Sequence, residues 1–266
     1  MESSSHAQPF ARSSVARSFI NGSALAWLTV VLAGIVAPVA AIALLANAPL
    51  VMVGGPILAV GLMGVGMIAA AADGRLWIGV LLAVLVGAGL IVLARALGMS
   101  PVLHPLSIGL AVVIASLSFA ARGALFARSA LDKGWWIAVF VVAGEAAVIA
   151  TAAAMPGMLP DWLLALLPAQ WASVAIQTAL TGAGTLAASP VLIALAGTAA
   201  ATLLVARLWP RRWPYAIMFT AWLGFSALVY HRPAPTMPRA EPANHEVVKE
   251  TNSLTGRERT SIALFR

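Results

Sequence analysis

The chain has 266 residues, of which 61% are hydrophobic and 9% are charged, whereas roughly one quarter of the residues in soluble domains are charged. So few charges cannot cover a water-facing surface, and the apolar residues lie in runs of about 20, the length that crosses about 30 Å of hydrocarbon. The composition therefore predicts an integral membrane protein. The absence of cysteine excludes disulfides, thiolate nucleophiles and cysteine-ligated metals.

The net charge of +7 does not indicate a nucleic-acid-binding protein. The basic residues lie at the ends of apolar runs and in the C-terminal part of the chain, instead of clustering along one segment. That distribution is typical of topology signals and of contacts with anionic headgroups. We therefore expect membrane lipids, and not nucleic acid, as partners.

A polar leader is predicted to precede the first membrane helix. Residues 1–23 are serine-rich and carry Arg12 and Arg17. The apolar run at 24–46 ends in the form of a signal-peptidase site, so a cleaved signal is the alternative to a retained span. At about 23 residues, however, the run exceeds the roughly 7–15 of a signal peptide's apolar region. We therefore expect a retained span, kinked at Pro38.

Three further spans are predicted at 49–72, 76–97 and 105–122. The first of these is rich in glycine, which lets a neighbouring backbone approach closely. A proline-bounded turn that contains His104 precedes the last of them. His104 is a candidate proton acceptor or ligand near the outer surface, although a single histidine in such a turn is more often an interfacial residue.

The loop after the fourth span predicts the orientation. It carries Arg122, Arg128 and Lys133 against one acidic residue, Asp132. The positive-inside rule places such a loop in the cytoplasm, and counting back through four spans places the N-terminus there as well. Abundant alanine, with more arginine than lysine, suits the inner membrane of a bacterium.

The segment after the fifth span, 135–155, leaves two topologies open. A short interfacial helix is predicted at 160–168, and the helix after it has polar residues spaced by three or four. These residues are Gln170, Ser173, Gln177, Thr181 and Thr185. The spacing places them on one face of the helix. If this helix folds back, the chain has seven spans and its two ends lie on opposite sides; if it crosses, there are eight.

Spans at 190–209 and 213–230 complete the predicted bundle, which covers residues 24–230. The remaining residues, 231–266, are charged and initially proline-rich, which favours a flexible tail. The predicted fold is therefore an all-α, polytopic transmembrane bundle of about eight helical segments, with seven or eight spans.

Glu145 places a carboxyl group in the middle of the apolar fifth span. A central charge costs about 2.5–3.5 kcal/mol on insertion, which the surrounding valines and isoleucines roughly offset. Such residues often mark proton or cation paths. The alternative is a neutral acid that is hydrogen-bonded across helices to Ser116, Ser118, Thr198 or a backbone carbonyl. We expect no cation at its depth, because Arg122 lies near a span end.

The polar groups of the later helices are candidates for a transport path together with Glu145. They are Gln170, Ser173, Gln177, Thr181, Thr198 and Thr202. The alternative is that they form ordinary hydrogen bonds between helices. The sequence contains no catalytic motif, no metal-ligand spacing, no paired histidines for haem and no phosphate-binding loop. We therefore expect no cofactor and no metal, and an enzyme is the less favoured class.

Two classes of function remain open. The first is a small permease that moves a small solute or an ion. The second is a non-catalytic accessory, scaffold or assembly subunit of a larger membrane complex, in which the polar groups serve packing and the tail docks the other subunits.

Overall fold

A computed structural model of the chain describes residues 23–45, 50–99, 104–182, 184–211 and 213–231. Nine α-helices and no strand occur in these ranges, which confirms the predicted all-α bundle. The helices are α1 (Ser23–Leu44), α2 (Leu50–Asp73), α3 (Leu76–Ala96), α4 (Pro105–Ala130), α5 (Gly134–Ala154), α6 (Asp161–Ala165), α7 (Pro168–Leu180), α8 (Gly184–Leu208) and α9 (Trp213–Tyr230). The leader predicted at 1–23 and the tail predicted at 231–266 lie outside the described residues, except for Ser23 and His231.

Five helical stretches of the described chain are long and apolar enough to cross a membrane. One of them, Pro105–Ala154, holds both α4 and α5. The chain reverses between these two helices at Leu131, where φ is 48°. A 3₁₀ turn over Leu131–Lys133 follows. A Cβ atom on Gly134 would lie 2.5 Å from the carbonyl oxygen of Phe126, so only glycine permits this close return. The two helices therefore form an antiparallel hairpin.

Helix α2 is the central helix of the bundle. Of its spanning window, 78% is buried, and it packs against α1, α3, α4, α5 and α7. A Cβ atom on Gly64 would lie 2.9 Å from the carbonyl oxygen of Ala33 in α1, and one on Gly61 would lie 2.9 Å from the Leu90 side chain in α3. The close backbone approach that the glycines predict is confirmed.

Helix α1 is irregular where it meets α2. A π-helical turn, Leu32–Val36, stands directly before Pro38. Proline cannot donate the usual backbone hydrogen bond four residues back, so the helix widens at this point instead of continuing regularly. The irregularity expected at Pro38 therefore takes the form of a π turn.

The outer surface of the bundle is apolar. Large side chains of α3 and α5 are exposed, among them Trp77, Leu81, Leu85 and Phe140. Contiguous apolar surface of this extent is a liability in water, whereas in a bilayer it faces acyl chains. The surface and the five long apolar stretches agree with an integral membrane protein.

Helices α6 and α7 enter and leave the bundle on one side. The Ser107 and Thr185 hydroxyls, 2.6 Å apart, join the beginnings of α4 and α8. The Arg128 guanidinium donates a hydrogen bond to the Ala206 carbonyl, which joins the ends of the same two helices. Since α4 and α8 run parallel and α5 runs antiparallel to α4, α5 ends on the side where α8 begins. The chain between them is re-entrant.

The length of α7 agrees with this topology. Its 13 residues extend about 20 Å at 1.5 Å per residue, which is short of the roughly 30 Å hydrocarbon core. Helix α9 then returns along α8, where the Phe225 ring occupies the space that a side chain at Gly197 would need. This arrangement favours the seven-span topology over the eight-span one. Helices α1–α5 and α8 lie in the long apolar stretches, and α9 is an 18-residue helix that packs along α8.

Candidate functional site

Arg122 of α4 and Glu145 of α5 form an ion pair inside the bundle. Nη1 of Arg122 lies 4.0 Å from Oε1 of Glu145, and the side chains are 14% and 12% exposed. Each residue lies about ten residues from the hairpin turn, or roughly 15 Å along its helix. That distance is about half the thickness of a hydrocarbon core of about 30 Å.

The expectation that no cation lies at the depth of Glu145 is wrong. The predicted fourth helix ends at Arg122, whereas α4 continues to Ala130. Two more helical turns therefore follow the arginine. The hairpin then places Arg122 opposite Glu145 because both lie at similar distances from the turn.

Glu145 also contacts the first turn of α7. The backbone N–H of Ala169 donates a hydrogen bond of 3.0 Å to Oε2 of Glu145. Leu167 precedes α7 in an extended conformation and gives no side-chain cap, and Pro168 is the first helical residue. The first N–H groups of a helix have no partner within it and carry partial positive charge. Glu145 therefore caps α7 from a neighbouring helix.

The expected hydroxyl partners of Glu145 make other contacts or none. Thr198 donates its hydroxyl to the carbonyls of Ala194 and Leu195 on its own helix. The hydroxyl oxygens of Ser116 and Ser118 are buried without a hydrogen-bond partner among the described residues. The carboxyl group of Glu145 thus reaches a backbone N–H rather than any of these hydroxyls.

Arg122 is less fully engaged than Glu145. Its guanidinium carbon lies 5.9 Å from the centre of the Phe119 ring, and Glu145 is its ion-pair partner. Within the described part of the chain the guanidinium donates no hydrogen bond, although arginine carries five N–H donors. Arg122 therefore has donor capacity that the described residues do not use.

A pocket of about 460 Å³ adjoins the ion pair. Helices α4, α5, α8 and α9 and the turn between α6 and α7 form its wall. Besides Arg122 and Glu145, Thr198 and Thr202 line it, and their hydroxyls donate to carbonyls of α8. The rest of the lining is apolar and consists of Leu125, Phe126, Val141, Leu166, Leu167, Pro168, Met218, Phe219 and Trp222. The volume falls within the roughly 300–1,000 Å³ typical of small-molecule sites.

Two indole groups fix the re-entrant turn that forms part of the wall. The Trp171 indole N–H donates to the Ala165 carbonyl at 2.8 Å, and that of Trp222 donates to the Leu166 carbonyl at 3.2 Å. Non-helical backbone at this depth needs partners inside the protein, because the bilayer core supplies none. The indoles therefore hold the beginning of α7 beside Glu145.

The structure brings together three of the predicted path residues, Glu145, Thr198 and Thr202. The polar face of α7 lies elsewhere, against α2. Gln177 accepts a hydrogen bond of 3.0 Å from the Gly55 backbone N–H, and a Cβ atom on Gly55 would lie 2.6 Å from the Ser173 carbonyl oxygen. That face meets protein at Ser173 and Gln177.

The other predicted residues lie apart from the pocket lining. Thr181, directly after α7, is exposed and donates its hydroxyl to the Gln177 carbonyl of α7 at 3.0 Å. Gln170 is half-buried on α7. His104 is exposed at the beginning of α4, about 27 Å from Arg122 along the helix at 1.5 Å per residue. It does not contribute to the pocket.

Sequence reasoning missed Arg122 and Trp222 as site residues. A signal for Arg122 exists, since the apolar residues 123–127 continue the helical pattern beyond it. Trp222 offers no such signal, because its contact with Leu166 joins parts of the chain 56 residues apart.

The described residues contain no group of three or more histidine, aspartate or glutamate side chains placed to hold a metal ion. The chain matches no family model, no curated protein and no solved structure. Its function is therefore inferred from the pocket and the groups around it.

Proposed function

We propose that this protein is a small permease that moves a small solute or an ion, with the pocket beside Arg122 and Glu145 as its binding site. One observation carries the proposal: a buried ion pair, the first turn of a re-entrant helix and a pocket meet inside the bundle, about 15 Å from the hairpin turn. Charged groups at this depth are costly and mark solute or ion paths. Transporter sites are often formed by helices that begin near the bilayer midplane.

We further propose that the hairpin turn of α4 and α5 faces the cytoplasm of a bacterium, with the inner membrane as the location. On that side lie the basic residues Arg75, Arg128, Lys133, Arg207 and Arg211, whereas Arg95 lies at the opposite end of α3. This asymmetry satisfies the positive-inside rule. The N-terminus is then cytoplasmic, and α6 and α7 enter from the periplasmic side.

Transport by reconstituted protein tests the proposal. Proteoliposomes that contain a pH-sensitive dye report proton-linked fluxes when a panel of small solutes is added outside. We expect the Glu145→Gln and Arg122→Gln variants to lower the flux by about tenfold or more, because each removes one member of a buried pair. Arg95→Gln changes an exposed arginine and serves as the control, with a flux like that of the original chain. If Glu145→Gln leaves every flux unchanged, the carboxyl group has no part in transport.

A second candidate is an accessory subunit of a larger membrane complex. The packing of Ser173 and Gln177 against α2 favours it, because these polar groups serve contacts within the bundle. Purification in mild detergent separates the two candidates. A stoichiometric partner that is lost when residues 234–266 are deleted supports the subunit. A single purified component that is stabilised by a solute supports the permease.

A further inference from the structure

We infer that the pocket binds a monocarboxylate with an apolar body, whose carboxylate replaces that of Glu145 beside Arg122. The inference rests on the proposed function, since it names the class of solute that the same pocket would take. It is argued from the contacts of Glu145, from the charges of the lining and from the pocket's shape.

A carboxyl group of the protein already lies at this position. One oxygen of Glu145 faces the Arg122 guanidinium at 4.0 Å and the other accepts the Ala169 backbone N–H at 3.0 Å. A cationic side chain and a helix N-terminal N–H are the donors that carboxylates generally bind. A solute carboxylate placed there meets the same two groups.

The charges of the lining favour an anion over a cation. Arg122 and Glu145 are the charged residues among those that line the pocket. Glu145 accepts one hydrogen bond, at Oε2, whereas the Arg122 guanidinium, 4.0 Å from Oε1, donates none to a described residue. The unused capacity of the pair is therefore on the cation.

The solute carboxylate must replace that of Glu145, and Glu145 takes up one proton from water as it is displaced, so that one negative charge remains beside Arg122. Two carboxylates beside one arginine leave an uncompensated negative charge at a depth where an unpaired charge is costly. Glu145 thus acts as an internal competitor that occupies the anion position when no solute is bound. A single arginine also limits the solute to one carboxylate.

The remainder of the pocket selects the body of the solute. Beyond the ion pair and two threonine hydroxyls, the lining is aliphatic and aromatic, including Phe126, Met218 and Trp222. Phe219 on its rim is 56% exposed on the outer surface of α9. Monocarboxylates with an apolar body occur in water and in the bilayer, and a short aromatic acid and a fatty acid represent these two sources.

Binding of radiolabelled benzoate and oleate to the purified protein in lipid nanodiscs tests the inference. We expect saturable binding of at least one acid, with benzamide, the neutral counterpart of benzoate, as a poor competitor. Benzoate binding assigns a water-borne solute, and binding of oleate alone assigns one from the membrane. Failure of both acids to bind overturns the inference, as does competition by benzamide equal to that of unlabelled benzoate.

If Glu145 competes with the solute, substitutions of the two ion-pair residues change the affinity for the acid in opposite directions. Arg122→Gln lowers the affinity for the bound acid by about 100-fold, and Glu145→Gln raises it by about tenfold. Arg95→Gln leaves it unchanged. A pair that only holds the fold weakens binding equally in both variants, which overturns the inference. If Arg122→Gln does not fold, Glu145→Gln alone tests the inference, because a competitor predicts a higher affinity for the acid and a purely structural pair predicts a lower one.

The binding and transport experiments can fail independently, so they distinguish the carboxylate inference from the permease proposal. Saturable carboxylate binding without any flux removes the permease and keeps the carboxylate site. Flux that depends on Glu145, in a protein that binds neither acid, keeps the permease and overturns the carboxylate as its solute.

Discussion

Helices α2 and α7 are both largely buried, and they are stabilised in different ways. Helix α2 has 24 residues and relies on glycine contacts with its neighbours. Helix α7 has 13 residues and receives polar contacts from Glu145 at its first turn and from α2 along its side. A helix that spans the bilayer leaves its unpaired end groups near water, whereas one that begins at mid-depth needs partners inside the protein. Glu145 is this partner for the first turn of α7, and the pocket adjoins it.

The largest expected effect comes from removing the cap of α7. Glu145→Ala leaves the Ala169 N–H without its acceptor and Arg122 without its counter-ion, and breaking such a buried pair costs about 3–5 kcal/mol. We expect faster hydrogen exchange in α7 than in the original chain, with α2 unchanged. Mass spectrometry of the exchanged peptides measures both. Equal acceleration in α2 and α7 would show that the loss is not local to the cap.

Next in size is the effect of filling the close contact of α2 with α1. Gly64→Ala places a Cβ atom 2.9 Å from the Ala33 carbonyl oxygen, and overpacking of this kind costs about 1–3 kcal/mol. Thermal unfolding in detergent measures the change. The matched control is Gly89→Ala in α3, where no atom of the described residues, apart from the adjoining backbone of α3, lies within 4 Å of the new Cβ. A gain of up to about 1 kcal/mol is expected there from helix propensity.

A smaller effect is expected at the re-entrant turn. Trp222→Phe keeps an aromatic ring but removes the indole N–H that donates to the Leu166 carbonyl, at a cost of about 1–2 kcal/mol. Trp77→Phe is the control, because Trp77 is 74% exposed on the outer surface. The two melting temperatures are compared under identical detergent conditions. A loss at Trp77 as large as that at Trp222 would contradict the role of the hydrogen bond.

The smallest effect is expected on the polar face of α7. Gln177→Leu removes the acceptor of the Gly55 N–H, and hydrogen bonds between membrane helices contribute about 0.6 kcal/mol on average. Solute binding should stay within about twofold of the original, because Gln177 does not line the pocket. If Gln177→Leu abolishes solute binding while its thermal stability stays nearly unchanged, the polar face of α7 belongs to the transport path.

Much of the helical framework could be predicted because its causes are local. Apolar runs of sufficient length and a glycine-rich second run predicted α1, α2 and α3, and the isolated Glu145 indicated where to look for a site. The sequence predicts that the fourth helix ends at Arg122, because a charge favours the end of a span, whereas α4 ends at Ala130. In the folded chain the charge of Arg122 is compensated by Glu145, which belongs to the next helix, α5.

The sequence by itself determined that this is an all-α membrane protein with one carboxyl group deep in its fifth span, because length, apolarity and spacing are properties of each segment. Only the tertiary structure decided that α6 and α7 are re-entrant, that Glu145 meets Arg122 and caps α7, and that Ser173 and Gln177 pack against α2. The physical reason is that these contacts depend on the depth at which separate helices meet. That depth is set by the hairpin at Leu131 and by packing across the bundle.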